Sequence, residues 1–293
     1  MAAAPERPIP ARLSDRSIGQ ILANNRQLDE HQVGKIVAHQ REKRVRFGEA
    51  AVALGYASLD DVISALSQQF NYAYATEEQR KDYPELVAFH QPFSKQVEAI
   101  RAIRSWVMMR VFSEPQQTRR ALAVVSPNSG DGKTFFAANL AVTLAQLGGR
   151  TLLVDADLRW PRQHEVFRMP NQHGLSAILA GRTEKRVVQQ VPAIPGLFLL
   201  PVGIGPPNPL ELLERPVFAL LMRELTSKFD HVIVDTSAGE FGVDPAVISA
   251  KCGAALVVAR KNASRVSALK DLAGVLNRST ATVAGVIVNE YRG

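Results

Sequence analysis

Residues 126–134 read Ser126-Pro-Asn-Ser-Gly-Asp-Gly-Lys133-Thr134, between an apolar strand-like run at 121–125 and a helix-like run at 135–147. Strand, glycine-rich loop and helix in that order is the context a phosphate-binding loop requires. Successive backbone N–H groups form an anion nest, and the helix N-terminus adds partial positive charge. Lys133 is placed to reach the β- and γ-phosphates and Thr134 to ligand Mg²⁺, with Ser129, Gly130, Asp131, Gly132 and Phe135 completing the nucleotide contacts. The full pattern has Gly six residues before the lysine, where this chain has Pro127; Gly130 and Gly132-Lys133-Thr134 are kept. The bland alternative is a glycine-rich turn with an incidental lysine. A bound nucleoside triphosphate is the expectation.

Two acidic motifs support it. Thr151-Leu-Leu-Val-Asp155-Ala-Asp157-Leu-Arg159 is an apolar run ending in two carboxylates spaced two apart, and His231-Val-Ile-Val-Asp235-Thr236 is a second apolar run ending in an acid. Ligands of an open α/β sheet bind beyond the carboxyl ends of its strands, where the loop, Asp155, Asp157 and Asp235 are expected to converge. Acids around Mg²⁺ and a triphosphate make a phosphoryl-transfer site, because that chemistry is mostly positioning and charge stabilisation. Apolar runs at 121–125, 151–155, 197–202, 231–235, 254–259 and 283–288 alternate with helix-like stretches. They predict an α/β P-loop NTPase with a mainly parallel sheet covered by helices on both faces.

The 293 residues leave room for one large and one small domain, and 46% apolar with 22% charged residues fits a globular chain. No apolar run approaches a membrane span, and the start, Met1-Ala-Ala-Ala-Pro-Glu-Arg-Pro, lacks the apolar centre of a signal peptide. A cytoplasmic location is expected. Cys252 is the only cysteine and reads as a small buried apolar residue; the six histidines show no metal-ligand spacing. The formal net charge is +7, with most of the excess in residues 113–293. Such a charge favours solubility and diffuse attraction to anions. The densest basic run, Arg41-Glu-Lys-Arg-Val-Arg46, is too short and mixed for a nucleic-acid arm, and 6% aromatic content leaves no base-stacking platform. No nucleic-acid partner is expected.

Residues 17–40 and 46–69 are two copies of a 24-residue pattern offset by 29 positions: Ile18-Gly19-Gln-Ile21-Leu22 aligns with Phe47-Gly48-Glu-Ala50-Ala51, Val33 with Val62, and Gln40 with Gln69. Each copy reads as a short helix, a turn and a second helix, with Val33, Ile36, Val37 and Val62, Ala65, Leu66 on apolar faces. Asp29 and Ser58 are the expected N-caps, with Gln32 and Asp61 three residues on. The organisation expected is a flexible tail over 1–15, a duplicated helical domain over 16–70, a linker over 71–94 and a nucleotide-binding domain over 95–293. A helix is expected from Lys95 to Val111, with Val97, Ile100, Trp106 and Val107 on its apolar side and Glu98, Arg101 and Arg104 on a neighbouring face.

From Glu98 onward the chain resembles the bacterial tyrosine kinases that regulate exopolysaccharide chain length, in the separately encoded EpsG-type, chain-length-determinant branch. The resemblance rests on Glu98-x-x-Arg101-x-x-Arg104, the loop to Thr134, Ala137-Ala-Asn-Leu-Ala141, Val154-Asp155-Ala-Asp157-Leu-Arg159-x-Pro161, Gly174-Leu-Ser and Val234-Asp235-Thr236. Partitioning and cell-division ATPases share the fold but carry a signature lysine where this chain has Asn128. A non-kinase ATPase switch that assembles an export complex is the alternative. The resemblance implies roles: Lys133 on the phosphates, Thr134 and Asp235 on Mg²⁺, Asp155 orienting or deprotonating the acceptor tyrosine with Asp157 in support, and Asn289 at the adenine. It implies that Glu98, Arg101 and Arg104 mediate a ring-like oligomer. It also implies a membrane-embedded polysaccharide co-polymerase as partner, whose cytoplasmic tail activates the kinase and holds it peripherally at the inner membrane.

Two departures from the family stand out. Its members end in a tyrosine cluster, whereas this chain has Tyr291 alone near its end, and the stretch after Asp235 lacks the prolines common there. The front repeat resembles the N-terminal domain of type II secretion and pilus ATPases that binds cyclic di-GMP, through Gly19 and Gln40 in the first copy and Arg46, Gly48, Gly55 and Gln69 in the second. The first copy has Ser17 where the family has Arg, with Arg16 adjacent, and Arg26 in place of the central Gly. Cyclic di-GMP binding and protein docking both remain open for it.

Overall fold

The computed structural model describes residues 17–70, 74–75, 77–112, 119–182 and 187–290, and the chain divides into two compact units between Glu77 and Glu78. The first unit holds α1 (Ile18–Arg26), α2 (Glu30–Lys43), α3 (Phe47–Ala53) and α4 (Leu59–Phe70). Reciprocal side-chain and backbone bonds fix the helix starts: Asp29 with Gln32, and Ser58 with Asp61, as the repeat predicts, and Ser17 with Gln20. The equivalent positions Ile21-Leu22 and Ala50-Ala51 are buried in one core with Ile36 and Ala65. The smaller pair in the second copy leaves room for closer helix approach. Gly48 is part of that fit, since a Cβ there would lie 2.6 Å from a methyl group of Val62.

The second unit is a seven-stranded sheet. Its strands are β1 (Ala121–Val125), β2 (Thr151–Asp155), β3 (Gln189–Gln190), β4 (Leu197–Leu200), β5 (His231–Asp235), β6 (Gly253–Arg260) and β7 (Thr282–Asn289). The order is β3-β4-β2-β5-β1-β6-β7, and only the β3–β4 pair is antiparallel. Helices α5 (Glu77–Asp82), α6 (Val87–His90), α7 (Lys95–Val107) and α8 (Lys133–Ala145) are followed by α9 (Gln163–Val166), α10 (Leu175–Leu179) and α11 (Pro209–Glu214). The last three are α12 (Pro216–Lys228), α13 (Asp244–Cys252) and α14 (Val266–Asn277). Central strands are buried on both faces, as apolar runs require in a parallel sheet. Ala123, Val125, Leu152, Val154, Val232 and Val234 share a core with Leu175, Phe218, Met222, Ile248 and Leu272. The alternate positions, Leu122, Val124, Leu153 and Ile233, are buried toward the opposite face, where α8 packs against β1, β2 and β5 with α6 and α7 outside it.

The six predicted strands are present, with β4 ending at Leu200 rather than 202, and β3 was not predicted. It is a two-residue polar segment with no apolar signal. The expected linker over 71–94 needs correction: from Glu78 on it belongs to the second unit. Leu86, Val87, Ala88 and Phe89 are buried. Asn139 holds them, its Oδ1 accepting from the Ala88 N–H at 2.9 Å and its Nδ2 donating to the Glu85 carbonyl at 2.9 Å. An apolar run of four residues is too short to show a period, so the sequence pattern hides it. The helix from Lys95 stops at Val107 and continues as a π-helical turn, Met108–Phe112, and Trp106 is half-buried with its ring against Gly285 of β7.

The Gly174 motif is a backbone-on-backbone contact. The N–H groups of Leu175 and Ser176 donate to the carbonyls of Pro201 and Val202 at 2.8 and 2.9 Å, docking the start of α10 on the end of β4. A Cβ at Gly174 would lie 2.1 Å from the Pro201 carbonyl oxygen and 2.5 Å from the Gly203 nitrogen. Gly174→Ala is therefore expected to lower stability by about 2 kcal/mol or more, because neither partner is a side chain that can turn away. Urea denaturation followed by far-UV circular dichroism measures the loss.

Candidate active site

The phosphate-binding loop leaves β1 and enters α8 through two glycines in left-handed conformation, Gly130 (φ 76°) and Gly132 (φ 99°). Asp131 braces the loop: its side chain accepts from the Asn128 N–H at 2.9 Å and from the Ser264 hydroxyl at 2.7 Å. Asn289, expected at the adenine, here donates its amide to the Asp131 carbonyl at 3.1 Å, and its Nδ2 lies 2.3 Å from where a Cβ on Gly132 would stand. Glu240, just after β5, accepts from the Ser129 N–H. A cleft of ≈ 520 Å³ opens beside the loop, bordered by Asn128 to Asp131, Glu240, Arg260 and Arg265.

Lys133 opens α8 and is buried, with its ammonium 3.0 Å from the Ser126 hydroxyl. Burial lowers its pKa, against the opposing pull of Asp235, Asp157, Asp131 and Glu240. Asp155 and Asp235 are register partners at the ends of β2 and β5, and both are fully buried. The Asp155 carboxylate accepts three backbone N–H groups, from Asp157 at 3.2 Å, Arg162 at 3.1 Å and Gln163 at 2.9 Å, which wraps the loop after β2 around it. Burial, then the charge of Asp235, raises its pKa well above the ordinary carboxylate value, with the amides working the other way. Asp157 is half-buried and accepts from the N–H groups of Arg159 and Trp160.

Asp235 has its pKa pushed up to about 6 by burial, which outweighs the opposing effect of Lys133, Gln163 and the nearby Thr134 hydroxyl. Its Oδ2 accepts from Gln163 Nε2 at 2.8 Å, while no hydrogen bond of ordinary length reaches its buried Oδ1. A free carboxylate oxygen beside a phosphate-loop threonine fits a divalent cation. Mg²⁺ takes one or two protein oxygens and completes its shell with phosphate and water. The loop, Lys133, Asp155, Asp157 and Asp235 thus meet at one end of the sheet.

Other site residues expected from sequence fall differently. Arg101 pairs with Glu98 within α7 and donates to the Pro92 carbonyl at 2.7 Å, and Arg104 donates to the Thr143 carbonyl of α8 at 2.8 Å. Both arginines thus anchor α7 to their own chain, and Glu98 stays exposed. Gly19 and Gly48 lie within the first unit's packing, Gly55 takes a left-handed turn (φ 72°), Gln40 is half-buried, and Arg46 and Gln69 are exposed. Arg16 and Tyr291 lie outside the described residues. Three residues given no role from sequence prove important: Gln163, Glu240 and Asp244. The last is buried and takes a two-point ion pair from Arg159 at 2.6 and 3.2 Å, joining the loops that follow β2 and β5.

Residues 122–293 match the CobQ/CobB/MinD/ParA nucleotide binding domain family. CapB of Staphylococcus aureus, a putative tyrosine-protein kinase, is 32% identical over 205 residues, covering 70% of this chain and 89% of CapB. The chain belongs to the bacterial tyrosine-protein kinases. The tyrosine-protein kinase Wzc of Salmonella typhi is 34% identical over 205 residues, 70% of this chain but 28% of Wzc. The chain therefore spans nearly all of one relative and little more than a quarter of the other. Among solved structures, the kinase domain of the Escherichia coli tyrosine kinase ETK superposes with a TM-score of 0.65 at 32% identity, covering 70% of this chain and 79% of that domain. The matched family region includes the phosphate-binding loop and the two strands ending in acids; the Glu98–Arg104 motif and the front helical unit lie outside residues 122–293.

The buried acid pair of the kinase fold has a stability consequence. Asp235 titrates higher in the folded chain than in the unfolded one, so between about pH 4 and pH 6 the native state holds more protons and stability falls as pH rises. Asp235→Asn, which keeps the shape and the bond to Gln163, is expected to stabilise the nucleotide-free protein at neutral pH by about 1–3 kcal/mol and to flatten that pH dependence. Urea midpoints in EDTA at about pH 4, 6 and 8 check both the sign and the window.

Proposed function

We propose that the protein is a Mg-ATP-dependent tyrosine autokinase controlling exopolysaccharide chain length and export. The observation that carries this reading is the grouping of buried Lys133 with buried Asp235, which lies near the Thr134 hydroxyl and beside its register partner Asp155. Lys133 and the loop amides bind and orient the β- and γ-phosphates, and Thr134 and Asp235 hold the cation. When bound, Mg²⁺ neutralises charge on the transferring phosphoryl group. Asp155 orients the acceptor hydroxyl and takes its proton. Its three amide bonds leave one lone pair open for that hydroxyl. Asp157 supports it from the rim.

The same reading assigns the protein a membrane-embedded polysaccharide co-polymerase as partner, whose cytoplasmic tail would keep it at the inner membrane, and a ring-like oligomer formed through α7. Of the three motif residues Glu98 is the exposed one; it is paired with Arg101 on its own helix and would have to exchange that partner to reach a neighbouring copy. No described helix is long and apolar enough to cross a membrane, so an external anchor fits. For the front unit we propose regulation by cyclic di-GMP. Exposed Arg46 and Gln69 in the second copy are suited to phosphate and base edges. Calorimetric titration with cyclic di-GMP should show binding that Arg46→Ala weakens at least tenfold; no binding by the parent chain would leave protein docking as that unit's role.

Phosphoryl transfer from labelled Mg-ATP, with and without the co-polymerase tail, tests the main reading. Label on Tyr291 or on another tyrosine, at least a hundredfold lower in Lys133→Ala, is the expected result. Hydrolysis that depends on Lys133 but leaves no phosphotyrosine would overturn the kinase assignment and point to an ATPase switch.

A further inference from the structure

Gln163 sits where three motif segments meet. It is fully buried at the start of α9, and its main-chain N–H closes on Asp155 Oδ2 at 2.9 Å. Its side-chain Nε2 donates to Asp235 Oδ2 at 2.8 Å and to the Thr134 carbonyl at 3.1 Å. One residue therefore ties the end of β2, the end of β5 and the first turn of α8. Both amide protons are used on acceptors, which fixes the orientation of the group: a flipped amide would set its carbonyl against a carboxylate and another carbonyl.

That orientation leaves Gln163 Oε1 buried without a hydrogen-bond partner among the described residues, as it leaves Asp235 Oδ1. A buried acceptor with no donor costs about 1–3 kcal/mol, and here two such atoms sit on side chains bonded to each other. Covalent geometry keeps Oε1 within the reach of one bridging water from the Asp235 carboxylate. Two unsatisfied oxygens next to a phosphate-loop threonine suit a hydrated cation, because Mg²⁺ keeps several of its waters and each offers protons to a nearby acceptor.

We propose that Gln163 is a positioning residue for the divalent cation: its amide N–H groups hold Asp235 in register with the Thr134 backbone, and its carbonyl oxygen receives a hydrogen bond from a water on the cation. The inference rests on the Mg-ATP reading of the site. It separates two roles that a packing residue would not separate, since metal-free nucleotide rests on Lys133 and the loop N–H groups, and Gln163 meets the loop only at the Thr134 carbonyl.

Titration of the full chain with a fluorescent ADP analogue, in EDTA and across a Mg²⁺ series, tests this on wild type and Gln163→Leu, with Gln163→Met as a second variant should leucine prevent folding. The Mg²⁺ concentration giving half of the metal-dependent gain in affinity is expected to rise about 10- to 100-fold in the variants, while affinity in EDTA stays within about threefold. An unchanged Mg²⁺ midpoint, or an equal loss in EDTA and in Mg²⁺, would overturn the positioning role and leave the Mg-ATP reading standing. A wild type whose ADP affinity ignores Mg²⁺ would remove both.

Discussion

Asp155 and Asp235 end adjacent strands in register, fully buried, and the geometry around them is a response to that juxtaposition. Burial raises the pKa of both carboxyls, and the charge of Asp235 adds to the rise at Asp155. Each is supported differently. Asp155 draws three backbone amides onto itself and so shapes the loop from 156 to 163. Asp235 faces the Lys133 ammonium and the Gln163 amide, which ties it to the phosphate loop. The sheet sets the spacing of the pair, and the pair in turn decides which loop conformations are tolerable.

The remaining contacts of the site keep the loops from moving independently of that pair. The Arg159–Asp244 pair is bidentate, with Asp244 almost wholly buried and also bonded by the Ser237 hydroxyl. Breaking a pair of this kind leaves a buried charge, so the loops after β2 and β5 are held as one piece. On the other side, Asp131 and Ser264 tie the phosphate loop to the turn after β6. Beneath it, Asn139 fastens α8 to the segment around Ala88. Lys133 therefore projects from a helix fixed at both its face and its start, which is the preorganisation that phosphoryl transfer needs.

What the sequence revealed divides along one line. Features encoded in contiguous residues were legible: the glycine loop, the two apolar strands ending in acids, the six strand runs and the capped helices of the repeat. Features made by side chains meeting across long separations were not. Gln163 reaches Asp235 across 72 positions, Asn139 reaches Glu85 across 54, and Arg159 reaches Asp244 across 85. Nothing local marks them, since a polar residue in a loop and one buried in a network look alike in sequence. Asn139 and Arg159 did fall inside recognised motifs, but a motif gives position without partner. The segment before Ser94 failed for the opposite reason: its four apolar residues were visible but too few to carry a period, and the amide that holds them lies 51 positions beyond Ala88.

The charge inventory of the site shows why, on the proposed reading, a cation would sit beside the buried lysine. Asp131, Asp155, Asp157, Asp235 and Glu240 all act on or near the phosphate loop, and Lys133 is the buried cation that faces them, because Arg159 is committed to Asp244. A triphosphate entering such a place would meet net repulsion. In the ligand-free chain burial raises the pKa values of Asp155 and Asp235, so a proton relieves part of the excess only as the pH falls toward about 6, where Asp235 titrates. A divalent cation at Asp235 would do that work at neutral pH, and at lower pH its binding would compete with the proton. Glu240, exposed and resting on the Ser129 N–H, adds a carboxylate at an amide of the anion nest itself. On the proposed reading the acids would make nucleotide binding conditional: the loop supplies donors for phosphate, and the surrounding carboxylates would tie its affinity to the metal that neutralises them.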